Sequence, residues 1–249
     1  MDKLELMYKV IESISILKYP IVFKGALVLN HLMETKGIIE TQRGTKDIDA
    51  DWVGGRISME ELLSIIKEAI FYIEIDGLEV RLIREATERR SSGFEVLLND
   101  QNLFSFDISL RENEFTTEYT TKNGIVFIGA SKEKIFVDKI SAISGRVLFR
   151  RIKDIYDLYL LSMLDGYYIR EINYVLEHSG RELSGFNEFI NDIDEIKNAY
   201  LKMRGIINPP EFDIMYGRVR DFSSPYITNG YTSGNGLWNV KAGLWIPIQ

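Results

Sequence analysis

The chain has no cysteine and only two histidines, His31 and His178. The first absence excludes disulfides, zinc–thiolate sites and thiol nucleophiles. The second argues against a centre built on several imidazoles. No stretch approaches the roughly 18 consecutive apolar residues of a membrane span. The opening MDKLELMYKV carries charges where a secretory signal would need an apolar run. A cytoplasmic protein with no membrane partner is therefore expected. Cations are in the minority, 30 Lys and Arg against 37 Asp and Glu, for a net charge of −7. Such a chain does not advertise broad, charge-driven binding to nucleic acid, which needs an excess of Lys and Arg. A local basic patch stays compatible with this balance.

What is present is enough apolar material for a sizeable core: 249 residues, 45% hydrophobic, with room for one or two domains. Leu4, Met7, Ile11, Ile14 and Leu17 recur at three- and four-residue steps and predict a helix over 3–18, ended by Pro20. Residues 21–23 suit a short strand, Lys24-Gly25 a turn, and 26–33 a buried helix. Residues 47–53 (DIDADWV) alternate acidic and apolar, the period of a strand with one wet and one buried face. A helix over 59–70 follows, with Ser58 as its N-cap. Strands are expected at 78–84, 93–98, 103–110 and 124–129. From Ser131 the pattern turns helical, over 132–144, 149–164, 168–178, 186–203 and 210–220, with Gly180 and Gly205 as C-cap residues. The expectation is an α+β protein: a mixed-sheet core over 1–130, a helical bundle over 131–222, and a C-terminal hairpin or tail over 223–249.

Chemistry concentrates first at Asp47-Ile48-Asp49. Side chains at i and i+2 of a strand share a face, so the two carboxylates can grip one or two Mg²⁺ ions, which prefer oxygen ligands. Alone, an Asp-x-Asp is more often a solvent-facing strand dotted with acids. Here it has company. Lys24, Gly25 and Ala26 stand at a turn opening a helix, where a glycine lets the backbone approach a phosphate and the helix N-terminus favours anions. Thr45 and Lys46 precede Asp47 and supply a hydroxyl and a cation. Asp51 is in phase but further along. A third carboxylate, Asp107, sits on the polar phase of LFSFDISL. If 47–53 and 103–110 are neighbouring strands, three carboxylates converge, with an edge-strand charge as the plain alternative for Asp107.

A second cluster comprises Lys139, Arg146, Arg150, Arg151, Lys153, Asp154 and Asp157. In RRIKDIYDLYLL, Ile152, Ile155, Tyr156 and Tyr159 share an inward face, while Arg150, Asp154 and Asp157 fall three and four apart beside it. Such a helix can aim cations at a triphosphate; an ordinary solvated helix with internal ion pairs is the competing reading. His31 reads as structural, and His178 as a cation suited to a helix end. Arg81, Arg84, Arg89 and Arg90 could meet an RNA, although a solvated strand-and-loop edge is the plainer reading.

The ordered set KGAL, RGTKDIDADW, FDIS and VDKISAISGRVLFRRIKDIYDLYLL resembles the AbiEii/AbiGii toxin-like nucleotidyltransferases of the DNA-polymerase-β-like superfamily, over residues 20–165. The resemblance implies a nucleotidyltransferase core followed by a helical bundle. It implies metal ligands at Asp47 and Asp49, phosphate contacts at Gly25 and Thr45, a functional lysine at Lys139 and a functional acid at Asp154. Type IV toxin–antitoxin systems supply the implied setting, with a cognate antitoxin as partner. The chain departs from the family where a hydroxyl residue is usual after the first strand and Ala26 stands instead; backbone N–H groups can still bind phosphate.

The leading reading is nucleotidyl transfer from a nucleoside triphosphate to an acceptor hydroxyl, with Mg²⁺ or Mn²⁺ held by Asp47, Asp49 and Asp107. Lys24, Gly25, Thr45, Lys46, Arg151 and Lys153 are the candidate nucleotide contacts, and Lys139 the charge for the triphosphate. The acceptor stays open among an RNA end (tRNA included), a protein hydroxyl and a small molecule. The alternative is a nucleotide- or partner-binding protein on the same fold that turns over weakly, supported by Ala26.

Overall fold

The strand at residues 47–52 forms because its apolar positions, Ile48, Ala50 and Trp52, alternate with acids, and the apolar set is buried. This is β2, Asp47–Trp52, in a computed structural model that describes residues 2–38, 43–87, 91–227 and 235–248. The chain divides into two units, one of residues 1–28 and 45–131, the other of residues 29–44 and 132–249. The second helix, α2 (Gly25–Thr35), contributes its first turn to the first unit and the remainder to the second.

In the first unit the described strands form a seven-stranded mixed sheet in the order β3-β4-β5-β2-β1-β7-β6. They are β1 (Ile21–Lys24), β2, β3 (Leu78–Arg84), β4 (Ser92–Leu98), β5 (Gln101–Ser109), β6 (Thr116–Thr120) and β7 (Val126–Ala130). The β2–β5 and β1–β7 pairs are parallel and the rest antiparallel. One face is aromatic: Phe23 stacks on Phe106 at 6.5 Å between ring centres, and Phe94 lies 6.4 Å from Phe106. α1 (Lys3–Ile16) buries Leu6, Met7, Val10, Ile11 and Ile14 and packs on β7 and on α3 (Met59–Phe71). Ser58 caps α3 as expected. Its hydroxyl accepts from the Glu61 N–H at 3.1 Å, and the Glu61 carboxylate accepts the Ser58 N–H at 2.9 Å, a capping box. The expected neighbouring of 47–53 and 103–110 is found. β5 lies between β4 and β2, so Asp107 is on an interior strand and not at an edge. β6 carries no strand signal in the sequence, because TTEYT lacks a run of apolar residues.

The second unit is mostly helical: α4 (Lys132–Ser144), α5 (Ile152–Leu161), α6 (Ile169–His178), α7 (Asn187–Asn191), α8 (Ile193–Leu201) and α9 (Phe212–Ile227). Three expected boundaries shift. The helix expected over 149–164 opens as a separate 3₁₀ turn, Leu148–Arg150, before α5, because Val147 adopts a left-handed conformation (φ 67°). The helix expected over 186–203 breaks at Asp192 (φ −101°, ψ 42°) into α7 and α8. The last helix runs on to Ile227 with Pro225 inside it. Pro225 has no N–H for the Asp221 carbonyl, and the Ser224 hydroxyl donates to that carbonyl instead, at 2.8 Å. The C-terminal hairpin exists, as β8 (Gly236–Asn239) and β9 (Leu244–Pro247), with Trp238 opposite Trp245. Trp238 is buried and its indole N–H donates to the Ser162 carbonyl at 2.8 Å. Among the described residues no helix is long and apolar enough to cross a membrane.

Candidate active site

Strand pairing converts the alternation in β2 into a row of charges. Asp49 is the register partner of Lys24 on β1 and of Asp107 on β5. Asp107 in turn faces Gly93 on β4, and Gly93 faces Arg84 on β3. Directly paired residues lie on one face of a sheet, so five adjacent strands present Lys24, Asp49, Asp107, Gly93 and Arg84 as one line. Asp47 is two residues along β2 on the same face, and both members of the Asp-x-Asp are half-buried. Gly25 begins α2 at φ 72°, a left-handed conformation suited to glycine. A β-carbon there would stand 3.2 Å from both Cβ and Cγ of Asp49. The turn therefore lays bare backbone directly against this carboxylate.

The acids are not equivalent. Asp51, third in the alternation, is buried; it pairs with the Lys24 ammonium and accepts from the Asn113 amide at 3.0 Å. Lys24, which the sequence suggested for the nucleotide, is thus engaged with Asp51, and also donates to Ser109 Oγ at 3.3 Å. Asp107 gives its carboxylate to Arg84, and Ser91 Oγ lies 3.4 Å from the same oxygen. The Thr45 hydroxyl donates to the Asp47 carbonyl at 3.0 Å, which shapes the entry to β2. Lys46 is exposed, and its carbonyl accepts from Lys3 at 3.3 Å. Burial holds the Lys3 ammonium below its usual range, against the opposing pull of the Asp47 charge.

In the second unit, Asp157 is fully buried on α5. It accepts a two-pronged contact from the Arg43 guanidinium, at 2.6 and 2.9 Å, and an ion pair from Lys139 at 2.7 Å. Lys139 also donates to Asp154 at 2.7 Å. Two cations and two acids therefore balance. Burial alone would raise the Asp157 pKa, but the Lys139 charge and the Arg43 hydrogen bonds hold it below the usual carboxylate range. Burial likewise opposes the charged form of Lys139, and Asp157 and Asp154 outweigh it, so its pKa stands above that of an ordinary lysine. Lys139 and Asp154, each implied as functional by the resemblance, are brought together as an ion pair. Placing Asp157 beside the inward face, with the polar positions, is corrected: it points fully inward, because two cations compensate it there. Arg43 went unassigned although it opens the RGTKDIDADW motif; its partner lies 114 residues away. Arg151 is exposed, 3.6 Å from Asp154 one turn on, and Lys153 is exposed. His31 is buried within α2, and His178 Nδ1 lies 2.8 Å from the Tyr174 carbonyl at the end of α6. Arg89 and Arg90 lie outside the described residues. Arg81 pairs with Asp100 at 2.5 Å.

A divalent cation suits the donor set on the acid row. Asp47 and Asp49 offer hard carboxylate oxygens on one face, and Gly25 keeps that face free of a side chain. Among the described residues, no three acids or histidines are gathered in metal-ligating geometry; Asp107 faces Arg84 instead.

Comparison with known proteins adds to this geometry. The family model described as "Nucleotidyl transferase AbiEii toxin, Type IV TA system" matches residues 6–216. A crystal structure from H. pylori, described as a nucleotidyltransferase, is similar with a TM-score of 0.55 at 18% identity, over 88% of this chain and 91% of that one. MenT4, a nucleotidyltransferase toxin from Mycobacterium tuberculosis H37Rv, aligns with a TM-score of 0.49 at 13% identity, over 88% of this chain and 81% of its own. No curated protein sequence matches significantly. At 18% identity the H. pylori structure speaks for the fold alone. The family match, which spans most of the chain and includes both charge clusters, shows that this chain belongs to the AbiEii nucleotidyltransferase toxin family of type IV toxin–antitoxin systems.

Proposed function

We propose that the chain moves a nucleoside monophosphate from a nucleoside triphosphate to an acceptor hydroxyl on RNA, tRNA included, in a reaction that depends on Mg²⁺ or Mn²⁺. The observation that carries this reading is the register of Asp49 with Asp107, with the bare backbone of Gly25 against Asp49. Asp47 and Asp49 would hold the metal, joined by Asp107. When bound, the ion neutralises charge that develops on the transferred phosphoryl group and the leaving pyrophosphate. The start of α2 presents unsatisfied N–H groups to a phosphate. Thr45 orders the backbone at Asp47. Asp107 would take the acceptor's proton or complete the metal's oxygen shell. The role of Lys139 toward the triphosphate is proposed from the family pattern, with its charge secured by Asp154 and Asp157. The RNA acceptor, and an antitoxin that restrains the enzyme, rest on family membership.

The test is incubation of the protein with each α-³²P-labelled nucleotide, Mg²⁺ and total cellular RNA. Label in RNA that requires Mg²⁺ and Asp49 supports the reading, and the labelled species identifies the acceptor. Label confined to protein or to a small molecule would replace RNA as the acceptor.

A second reading draws on Ala26. It is buried and follows Gly25, where the family usually has a hydroxyl. A protein that binds Mg²⁺ and nucleotide yet transfers no label to any acceptor would be a binder on this fold, not an active transferase.

A further inference from the structure

Arg84 reaches Asp107 through two local departures from regular structure. The pairing of β3 with β4 runs in register from Leu78 to Leu82, then shifts, so that Arg84 and not Ile83 faces Gly93. Without that bulge, Arg84 would be opposite Ser92, which is buried, pairs with Ile108 and belongs to the apolar phase. A one-residue slip sends a side chain to the other face of a sheet. The bulge therefore delivers Arg84 to the acid face. The second departure is Gly93 itself, between Arg84 and Asp107. A β-carbon there would stand 3.1 Å from an Arg84 terminal nitrogen and 3.2 Å from Cζ. The missing side chain opens a lane across β4, and along it the guanidinium crosses an entire strand to meet Asp107. Ser91 steadies it, its carbonyl accepting from Arg84 Nε at 2.9 Å.

The charge pattern gives this reach a purpose. Asp49 and Asp107 are register partners on neighbouring strands, where like charges repel. Each is flanked across the row by a cation-bearing strand, Lys24 on one side and Arg84 on the other. Lys24 is taken by buried Asp51. Arg84 is 40% exposed and Asp107 28%, so this pair can open without unpacking the core.

We propose that Arg84 is a resident counter-cation of the acid row: it neutralises Asp107 in the metal-free protein and surrenders that carboxylate when a divalent cation binds. The proposal rests on the reading that this row holds the metal. Arg84 is a positioning residue that sets the threshold for metal entry, since it holds Asp107 Oδ1 and an ion that takes this oxygen must displace the guanidinium.

The test measures Mn²⁺ binding to the full chain without nucleotide, by the loss of the free-ion EPR signal, for wild type, Arg84→Gln, Gly93→Ala, Asp49→Ala and Asp107→Asn. Arg84→Gln should bind Mn²⁺ about two- to fivefold more tightly than wild type, the range that an exposed ion pair contributes. Gly93→Ala, which crowds the lane but removes neither charge, should move affinity in the same direction by less. It serves as the independent variant if Arg84→Gln folds poorly. Unchanged or weaker binding in both overturns the proposal, and would mean that Arg84 only braces β3. Asp49→Ala and Asp107→Asn separate this failure from that of the metal reading. If they lower Mn²⁺ affinity while the Arg84 and Gly93 variants behave as wild type, only the counter-cation idea falls. If Mn²⁺ binding is absent from wild type or indifferent to both acids, the two fall together.

Discussion

The position that a β-carbon of Gly25 would take lies 3.2 Å from both Cβ and Cγ of Asp49, so the turn into α2 and the acid of β2 are fitted to one another. Gly25→Ala should therefore cost twice, once for a left-handed backbone (about 1–2 kcal/mol) and once for crowding the carboxylate. Asp49→Ala removes the crowding atoms beyond Cβ and should recover part of the loss. Urea unfolding of the two single variants and the double variant measures this. An equal cost of Gly25→Ala in both backgrounds would show that only backbone conformation matters.

Asp49→Ala should leave the fold intact and remove ligand-induced stabilisation. Wild type with Mg²⁺ and its nucleotide at about 100 times the dissociation constant gains roughly 2.7 kcal/mol, or on the order of 5–10 °C in Tm for a chain of this size. Thermal melts with and without ligand test it. The same shift in wild type and in Asp49→Ala would remove the Asp-x-Asp from the metal site.

Asp51 behaves differently, although it shares the alternation. Asp51→Ala strands a half-buried Lys24 and leaves the Asn113 amide without its acceptor. A stability loss of about 1–3 kcal/mol is expected, at the lower end because Lys24 retains some water. The metal-free melting temperature reads it directly, and no change would show that the pair is replaceable by solvent.

Asp157 should be the most sensitive acid of the second unit. Asp157→Asn at pH 7 leaves Arg43 and Lys139 under-compensated in a buried setting, with about 3–5 kcal/mol lost. Its pH dependence has a definite sign. The folded carboxyl has a lowered pKa, so its contribution is complete above the unfolded value of about 3.9 and is lost as pH falls through the lower folded value. Lys139, whose pKa is raised, keeps its contribution below about 10.4 and loses it only as pH climbs through the higher folded value. Wild type and Asp157→Asn should thus differ by a constant amount from pH 5 to 9, and converge as the pH drops below about 4. A gap that narrows near neutrality would contradict the assignment.

Part of the candidate site's arrangement could be read from local pattern. Period-two alternation in DIDADWV and LFSFDISL put Asp47, Asp49 and Asp107 on the wet phases of their strands, and the sheet bears this out. Ser58 was legible as the N-cap of α3, and the structure adds Glu61 to complete a capping box. Lys139 and Asp154 were legible as lying on successive helices, and the structure adds their ion pair.

What the sequence determined by itself is what neighbours in the chain decide: strand phase, caps, helix faces and the order of motifs that marks the family. Such features depend on residues within a turn or two of one another, and their periods survive in one dimension. Only the tertiary structure decided which partners each acid meets. Asp49 and Asp51 have the same phase, yet Asp51 meets Lys24 and Asn113. Asp157 becomes a buried hub because Arg43 arrives from 114 residues away. Arg84 joins the acid row because one bulge in β3 rephases it and one glycine in β4 lets it pass. A charge's fate depends on the partners that close around it in space, and strand register and long-range packing choose those partners.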